Sequence, residues 1–256
     1  MFAHPDDDTF ALGGTLLAEA DRIAHYTVVV ATSGEAGPIA DPGLATRENL
    51  AEVREAEERA ALAAAGRADA TVHFLRLPDG GLPDVAQDDL VDRVAGLLDE
   101  ARPDVVVTFG PEGVTLHADH VAIHEAATLA FDRLRSAGEG DAGDGAFRRL
   151  FYSQLPQSRL DAVWRQLRSL GQDVDPDAPF MPRGVPDERI TVAEDCSGVW
   201  ERKVEVLRAH RTQVEEIDAF PRHLRKQVFG TEWFVQAWPP VQPGGEPASS
   251  LFDGLA

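Results

Sequence analysis

The sequence predicts an α/β fold built on a doubly wound, mostly parallel sheet with helices on both faces. Two observations support this class. Apolar runs rich in β-branched residues alternate with stretches of helical periodicity over the first 155 residues. Continuous apolar runs such as Val105-Val106-Val107 are typical of strands buried on both faces of a parallel sheet. This alternation favours a Rossmann-like core, which the last hundred residues follow as a helical C-terminal extension.

The strand pattern recurs five times in this core, and a helical pattern fills each interval. We predict strands at 1–3, 26–32, 71–77, 104–110 and 149–155. Helices are predicted between them at 9–22, 46–66, 87–101 and 117–137. Only three residues precede His4, so the first strand is either short or begins upstream of the given sequence.

The rest of the chain has weaker patterns. Residues 136–146 form a Gly/Asp-rich stretch that is typical of a surface loop. A strand is expected around 190–192, helices near 197–210 and 215–228, and irregular coil in the tail "PPVQPGGEPASS". We expect one domain over 1–256, with the core in 1–155 and the extension in 156–256.

Composition restricts the classes of function. The formal net charge of -20 disfavours binding to nucleic acid or to an anionic membrane. No apolar run approaches membrane-spanning length, and no signal segment is recognisable. A single cysteine, Cys196, excludes an internal disulfide and favours a reducing, cytoplasmic compartment, where we expect it to be a small buried apolar residue. The expected partner is a small molecule, and a homo-oligomer is compatible with the sequence.

Two clusters of histidine and aspartate each lie between a predicted strand and a predicted helix. The first is "AHPDDDTF" (3–10), and the second is "GVTLHADH" (113–120). In an open parallel sheet, ligands bind beyond the carboxyl ends of the strands. We therefore expect both clusters on the same rim of the sheet.

A metal site accounts for the composition of these clusters. His4 and Asp7 are three residues apart, and His120 could reach them from the neighbouring loop. Two imidazoles and one carboxylate are the protein ligands of a catalytic zinc ion that keeps a position open for water. Such a cation would also offset the repulsion among the three consecutive aspartates.

The remaining residues of the clusters suit the chemistry of hydrolysis. Asp6 could act as a general base toward a metal-activated water. His117, in its protonated form, could stabilise a developing oxyanion, with Asp119 orienting or charging a neighbouring imidazole.

Structural roles are the alternative for each residue. Asp8 is placed to cap a helix that begins at Thr9, and Asp119 to cap a helix that begins near His120. His117, His120 and His124 share one helical face, which is also compatible with a stripe of buried or solvated histidines. His124 is a candidate fourth ligand, although it lies a further turn along the helix.

These motifs resemble those of the LmbE-like (PIG-L) family of zinc-dependent N-deacetylases, which includes the mycothiol-pathway deacetylase and S-conjugate amidase. The family pattern A-H-P-D-D-E corresponds to "AHPDDD" (3–8), and G-H-P-D-H corresponds to "LHADH" (116–120). Further similarity covers most of the chain, in "TSGEAG" (32–37), "VREAEE" (53–58), "LPDGGL" (77–82), "VVVTFGPEGVT" (105–115) and "KVEVLRAHRTQ" (203–213).

The resemblance implies a role for each matching position. It makes His4, Asp7 and His120 ligands of one Zn²⁺ per chain, with other divalent metals as alternatives. It makes Asp6 the general base, His117 the oxyanion partner and Asp119 its electrostatic neighbour. Arg54 matches a position that contacts substrate in some members, and Asp79, in a Gly-rich turn on the same rim, is a weaker candidate for a substrate contact. From the residues alone, Arg54 could instead pair with Glu57 or Glu58, and Asp79 could simply form a turn.

Four positions depart from the family pattern. Asp8 replaces the usual Glu, and Leu116 and Ala118 replace the usual Gly and Pro. Thr115 stands where the mycothiol-type deacetylase has a tyrosine, which argues against an identical substrate.

The resulting hypothesis is a metal-dependent hydrolase that removes an N-acyl group, expected to be acetyl, from an amino sugar or related conjugate. One alternative is an LmbE-like scaffold that binds ligand without catalysis. A two-histidine, one-carboxylate Fe(II) oxygenase fits the same ligands but usually has an all-β scaffold. A Mg²⁺-binding receiver needs a lysine after its last core strand, whereas Lys203 and Lys226 both lie in predicted C-terminal helices.

Overall fold

The structure, a computed structural model, describes residues 1–138, 145–214, 217, 219–242 and 244–255. It confirms the mixed α/β class. The helices are α1 (Asp7–Ala18), α2 (Leu50–Ala64), α3 (Gln87–Ala101), α4 (Ala118–Gly138), α5 (Gln157–Ser169), α6 (Trp200–Leu207) and α7 (Arg222–Phe229). The strands are β1 (Thr27–Thr32), β2 (Thr71–Leu77), β3 (Val105–Phe109), β4 (Arg149–Ser153), β5 (Val192–Asp195) and β6 (Thr231–Trp238).

Most of the predicted elements are confirmed within a few residues. The strand expected around 190–192 begins at Val192, and α5 and β6 were not predicted. Residues 139–144 of the predicted Gly/Asp-rich loop lie outside the described residues. So do 215, 216 and 218 of the helix expected at 215–228, where α7 occupies the second half.

The chain divides into two compact units, named here after the histidine that each contributes. The His4 unit comprises Phe2–Gly81 and Glu194–Glu232. The His120 unit comprises Met1, Leu82–Ala193 and Trp233–Ala256. The prediction of one domain, with a core in 1–155 and an extension in 156–256, stays a prediction.

In the His4 unit, β1 and β2 pair in parallel, with Thr27 opposite Thr71. The predicted first strand is reduced to one parallel bridge between Phe2 and Val30. The amide of Thr32 also donates to the carbonyl of Ala3 at 2.9 Å. His4 therefore emerges beside the carboxyl end of β1, at the position that the sequence predicts for a ligand-binding loop.

A buried ion pair holds α1, the helix that follows this loop. Lys203 Nζ lies 2.6 Å from Glu232 Oε1, and both side chains are almost fully buried. The Glu232 carboxylate also accepts the amides of Gly14 and Thr15, at 2.6 and 2.8 Å. A Cβ at Gly14 would lie 2.5 Å from the sulfur of Cys196, so the packing requires glycine there. Cys196 is buried, and burial raises the pKa of its thiol, as expected for a packing residue.

The second sheet has the strand order β3-β4-β6-β5, and its strands β3 and β4 belong wholly to the His120 unit. β3 pairs in parallel with β4, whereas β6 runs antiparallel to β4. α4 packs against β3 and α3. Because α4 begins at Ala118, soon after the end of β3, His120 lies in the first turn of a helix that follows a buried strand.

Within the described part of the chain, no helix is both long and apolar enough to cross a membrane.

Candidate metal-binding clusters

The loop before α1 brings two predicted metal ligands together. The amide of His4 donates to Asp7 Oδ2 at 2.7 Å, and His4 Nδ1 lies 3.5 Å from the same oxygen. Asp6, between them, has a φ of 108°, which turns the chain sharply into α1. The imidazole of His4 and the carboxylate of Asp7 are therefore neighbours because of the backbone conformation of this turn.

The second nitrogen of His4 faces Asp79. His4 Nε2 lies 3.0 Å from Asp79 Oδ1, and the amide of Ala36 donates to Asp79 Oδ2 at 2.8 Å. Burial by itself would raise the pKa of Asp79, but the imidazole of His4 and the Ala36 amide together hold that pKa below its usual value. Asp79 is thus an anchored anion beside a predicted ligand, and its contact with substrate stays a prediction.

Arg54 binds the residue predicted to be the general base. Its Nη2 donates to Asp6 Oδ2 at 3.0 Å and to the carbonyl of Pro5 at 2.6 Å. Its Nη1 donates to the carbonyl of Gly34 at 3.0 Å, and the residue is only 4% exposed. The alternative that Arg54 pairs with a glutamate of its own helix is not what the structure shows. The guanidinium instead orients the Asp6 carboxylate.

A pair of buried carboxyl groups lies beneath this loop. Glu58 Oε2 accepts the amide of Asp6 at 3.2 Å, and the carboxyl groups of Glu58 and Asp8 lie close to each other. The hydroxyl of Tyr26 donates to Asp8 Oδ2 at 3.1 Å. Burial raises the pKa of Asp8 and, together with the Asp8 charge, raises that of Glu58 well above its ordinary value. Both carboxyl groups therefore keep their protons to a higher pH than an exposed carboxyl group would.

Asp8 is consequently not the cap that the sequence allowed. α1 begins at Asp7 with Asp6 as its N-cap residue, and the Asp6 side chain makes no capping hydrogen bond. The carboxyl group of Asp8 turns inward to Glu58 and Tyr26, so the capping hypothesis for Asp8 is wrong.

The segment after α6 packs against α1 and α2 near the same loop. His210 is buried, and its Nε2 lies 3.2 Å from the hydroxyl of Thr9 and 3.9 Å from Glu58 Oε2. Burial, and secondly the charge of Arg54, lower the pKa of His210 to about 3, so its ring is neutral. Glu57 accepts the amide and the hydroxyl of Thr212, at 2.9 and 2.7 Å.

The sequence pattern indicated no role for His210, and for Glu58 it indicated only a possible ion pair with Arg54. A signal for Glu58 existed, because the buried residues of α2 fall on one helical face: Leu50, Arg54, Glu57, Glu58, Ala61 and Leu62. Three ionisable residues on an apolar stripe indicate buried polar partners.

In the His120 unit, the loop after β3 fixes the orientation of His120. His120 Nδ1 lies 2.8 Å from the carbonyl of Gly113, and the ring stacks on Phe109 with centroids 4.0 Å apart. Because a carbonyl can only accept, the ring proton is on Nδ1 and the lone pair is on Nε2. A backbone carbonyl that fixes the tautomer in this way is typical of a metal-ligating histidine.

His117 lies next to His120, with ring centroids 5.0 Å apart. Its Nδ1 accepts the amide of Asp119 at 3.2 Å, which places the ring proton on Nε2. An imidazolium would have no lone pair for this bond. The role of His117 toward an oxyanion, in its protonated form, stays a prediction.

Asp119 and His124 are anchored to the protein around them. The Asp119 carboxylate is fully buried and accepts the amide of Leu82 at 3.0 Å. Because α4 begins one residue earlier, Asp119 does not cap that helix, and its electrostatic role stays a prediction. His124 Nδ1 bonds to the carbonyl of Phe109 at 2.8 Å, its ring packs edge-on against Tyr152, and burial lowers its pKa. These are the contacts of a packing residue.

The predicted ligands thus form two preorganised groups, one in each unit. His4 is paired with Asp7, and His120 is oriented beside His117. That the two groups bind one ion stays a prediction.

Comparison with known families gives a match over residues 1–131 to the PIG-L model, described as GlcNAc-PI de-N-acetylase. The 1D-myo-inositol 2-acetamido-2-deoxy-alpha-D-glucopyranoside deacetylase of Saccharomonospora viridis is 33% identical, over 100% of this chain and 99% of the relative. The deacetylase of the same name from Kineococcus radiotolerans is 33% identical, over 86% of this chain and 69% of the relative.

Solved structures share the fold at lower identity. The 4-carboxy-2-hydroxymuconate hydratase of Pseudomonas putida aligns with a TM-score of 0.62 at 18% identity, over 95% of this chain and 97% of that one. The N,N'-diacetylchitobiose deacetylase of Pyrococcus horikoshii aligns with a TM-score of 0.58 at 20% identity, over 92% of this chain and 81% of that one. Because one fold serves a hydratase and a deacetylase, likeness of fold alone does not identify the reaction.

Proposed function

Because the chain belongs to the PIG-L family of de-N-acetylases, and is a hydrolase of that class, we propose that it hydrolyses the acetamido group of an amino sugar conjugate with one zinc ion. The relatives that match over the full length are named as deacetylases of a 2-acetamido sugar. The observation that carries the metal dependence is the orientation of His120, whose tautomer is fixed by Gly113.

The donor set fits zinc. Two imidazoles and one carboxylate, from His4, His120 and Asp7, are borderline and hard ligands of the kind that Zn²⁺ binds in hydrolases. Bound there, the ion would polarise the amide carbonyl and lower the pKa of a water molecule. The three consecutive carboxylates of the first cluster repel one another, and a cation bound there would offset that repulsion.

Asp6 and Arg54 carry the proton transfer in this proposal. Arg54 binds Asp6 Oδ2, so we assign the transfer to Oδ1. Asp6 takes a proton as water adds to the acetyl carbon, and passes it to the nitrogen as the C–N bond breaks. The products are acetate and a free amine. A guanidinium that fixes the carboxylate before substrate binds reduces the reorganisation needed in the transition state.

His117 stabilises the tetrahedral species. Since its Nδ1 accepts the Asp119 amide, its Nε2–H is the available donor, and a neutral donor aimed at a developing oxyanion suffices for this role. Asp119 supports that orientation through its backbone, while Asp79 and Arg54 remain the proposed substrate contacts at the side of the first cluster.

The test combines metal analysis with detection of released amine. Purified protein should contain one zinc ion per chain, and a panel of N-acetylglucosamine conjugates should include one that yields amine and acetate in equal amounts. Asp6→Asn should keep the metal and lower kcat by about 10²–10⁴-fold. Asp99→Asn is the matched control, since Asp99 is an exposed partner of Arg102, and it should behave as wild type.

Three results would contradict the proposal. Bound zinc with no amine released from any conjugate would indicate a scaffold that binds ligand without catalysis. Full turnover by Asp6→Asn would remove Asp6 from the mechanism. Turnover that needs Fe(II) and O₂ would indicate an oxygenase.

A further inference from the structure

Two exposed apolar side chains flank His117. Leu116, the preceding residue, is 56% exposed, and Phe180 is 65% exposed. The ring of Phe180 lies 5.1 Å from that of His117, measured between centroids. Single exposed apolar residues are common on protein surfaces, but two beside one candidate catalytic histidine form a distinct feature.

The backbone at both positions is strained. Leu116 has a φ of 59° and Phe180 a φ of 61°, in the left-handed region that bulky residues rarely adopt. Nearby Val114 has a φ of 60°, and its carbonyl accepts the amide of Arg183 at 2.6 Å, which ties the loop of Leu116 to the segment that follows Phe180. Glycine would adopt these angles without strain, so a leucine and a phenylalanine are kept here at a cost to stability. Burial offsets little of that cost, because both residues are more than half exposed.

We propose that Leu116 and Phe180 form an apolar lip that binds an apolar or aromatic group on the amine side of the substrate. This inference rests on the proposed deacetylation. The full-length relatives act on 2-acetamido sugars, so the acyl side needs room only for a methyl group. The apolar group is then part of the sugar conjugate that keeps the amine. The lip favours conjugates that carry a substituent large and apolar enough to pack on both side chains. A sugar hydroxyl is too small and too polar to do so.

The test compares benzyl and methyl N-acetyl-β-glucosaminide as substrates. Wild-type protein should have a kcat/KM for the benzyl compound about 10- to 100-fold above that for the methyl compound, mainly through KM. Phe180→Ser and Leu116→Gly should each reduce this ratio toward one. Leu170→Ser, which shortens a leucine that is 50% exposed elsewhere in the same unit, is the matched control and should keep the wild-type ratio.

Stability distinguishes a binding role from a packing role. The thermal midpoint of Leu116→Gly should not fall, because glycine removes the strain and little buried area is lost. A clear fall would mean that Leu116 serves packing, and would overturn its part in the lip.

The lip and the deacetylation can fail separately. Turnover with equal kcat/KM for both glucosaminides, or a preference for N-phenylacetylglucosamine over both, would overturn the lip alone. If no compound releases amine, the deacetylation fails. Calorimetry can still test the lip in that case. The wild-type protein should bind the benzyl compound more tightly than the methyl compound, and Phe180→Ser should lose this difference. Equal binding of the two glucosaminides would overturn it.

Discussion

His210 should make the stability of this protein unusually sensitive to mild acid. The pKa of its imidazole is lowered from the ordinary 6.5 to about 3, chiefly by burial. Below pH 6.5 the unfolded chain binds a proton at this residue, whereas the folded chain does not until the pH approaches 3. The stability that His210 contributes is therefore complete at neutral pH and is lost as the pH falls through this window.

The size of the effect follows from the two pKa values. Each pH unit inside the window costs about 1.4 kcal/mol, so acidification from pH 7 to pH 4.5 should cost about 2.5 kcal/mol through His210 alone. Glu58 changes the stability with pH in the opposite direction. Because its pKa is raised, the folded state holds a proton that the unfolded state has lost, and acidification therefore favours folding. Carboxylates elsewhere add their own pH dependence, so the measurement needs a matched variant.

His210→Gln is that variant. It cannot titrate in this range, and its amide can replace Nε2 in the contact with the hydroxyl of Thr9. Urea unfolding of both proteins, in the same metal state, should show that the variant loses about 2.5 kcal/mol less than wild type between pH 7 and pH 4.5. Parallel pH dependences for the two proteins would refute the reasoning.

Other substitutions test the supports of the first cluster. Lys203→Met removes one partner of the buried pair with Glu232 and should lower the free energy of unfolding in urea by about 3–5 kcal/mol. A loss below about 1 kcal/mol would contradict a stabilising role for this pair. Glu58→Gln keeps an acceptor for the amide of Asp6 but cannot ionise, so it should retain metal and be more stable than wild type at pH 8. Glu58→Leu lacks the acceptor and should bind metal more weakly in a competition assay, whereas equal metal affinity of the two Glu58 variants would contradict the role of Glu58 in holding the loop.

Much of the fold was predictable because its elements carry strong local patterns. β1 and β3 each contain three consecutive valines, and α3 places Leu90, Val94 and Leu98 on one buried face. α5 has a comparable stripe, with Leu160, Val163, Trp164 and Leu167 buried, and could have been predicted from it.

β6 was harder to predict. Its buried positions include Glu232, a residue that disfavours a strand until its partner Lys203 is known. That pairing joins residues 29 apart in sequence, and no local pattern reveals it.

The candidate ligands were predictable in kind, whereas their neighbours were not. A histidine and an aspartate after a strand indicate a metal, but three consecutive aspartates do not show which one turns inward. The fold decides that Asp8 pairs with Glu58, that Arg54 binds Asp6, and that the carbonyl of Gly113 fixes the tautomer of His120. Each is a contact between distant segments or within an irregular loop, where periodicity carries no information.

The central claim is that the clusters around His4 and His120 bind one zinc ion together. Anomalous diffraction at the zinc edge, from crystals of the protein grown with zinc, tests it most directly. We expect one strong anomalous peak per chain, about 2.0–2.2 Å from a ring nitrogen of His4, a ring nitrogen of His120 and an oxygen of Asp7. A zinc ion that is coordinated by only one of the two clusters, or a separate zinc ion at each cluster, would contradict the claim of one shared ion.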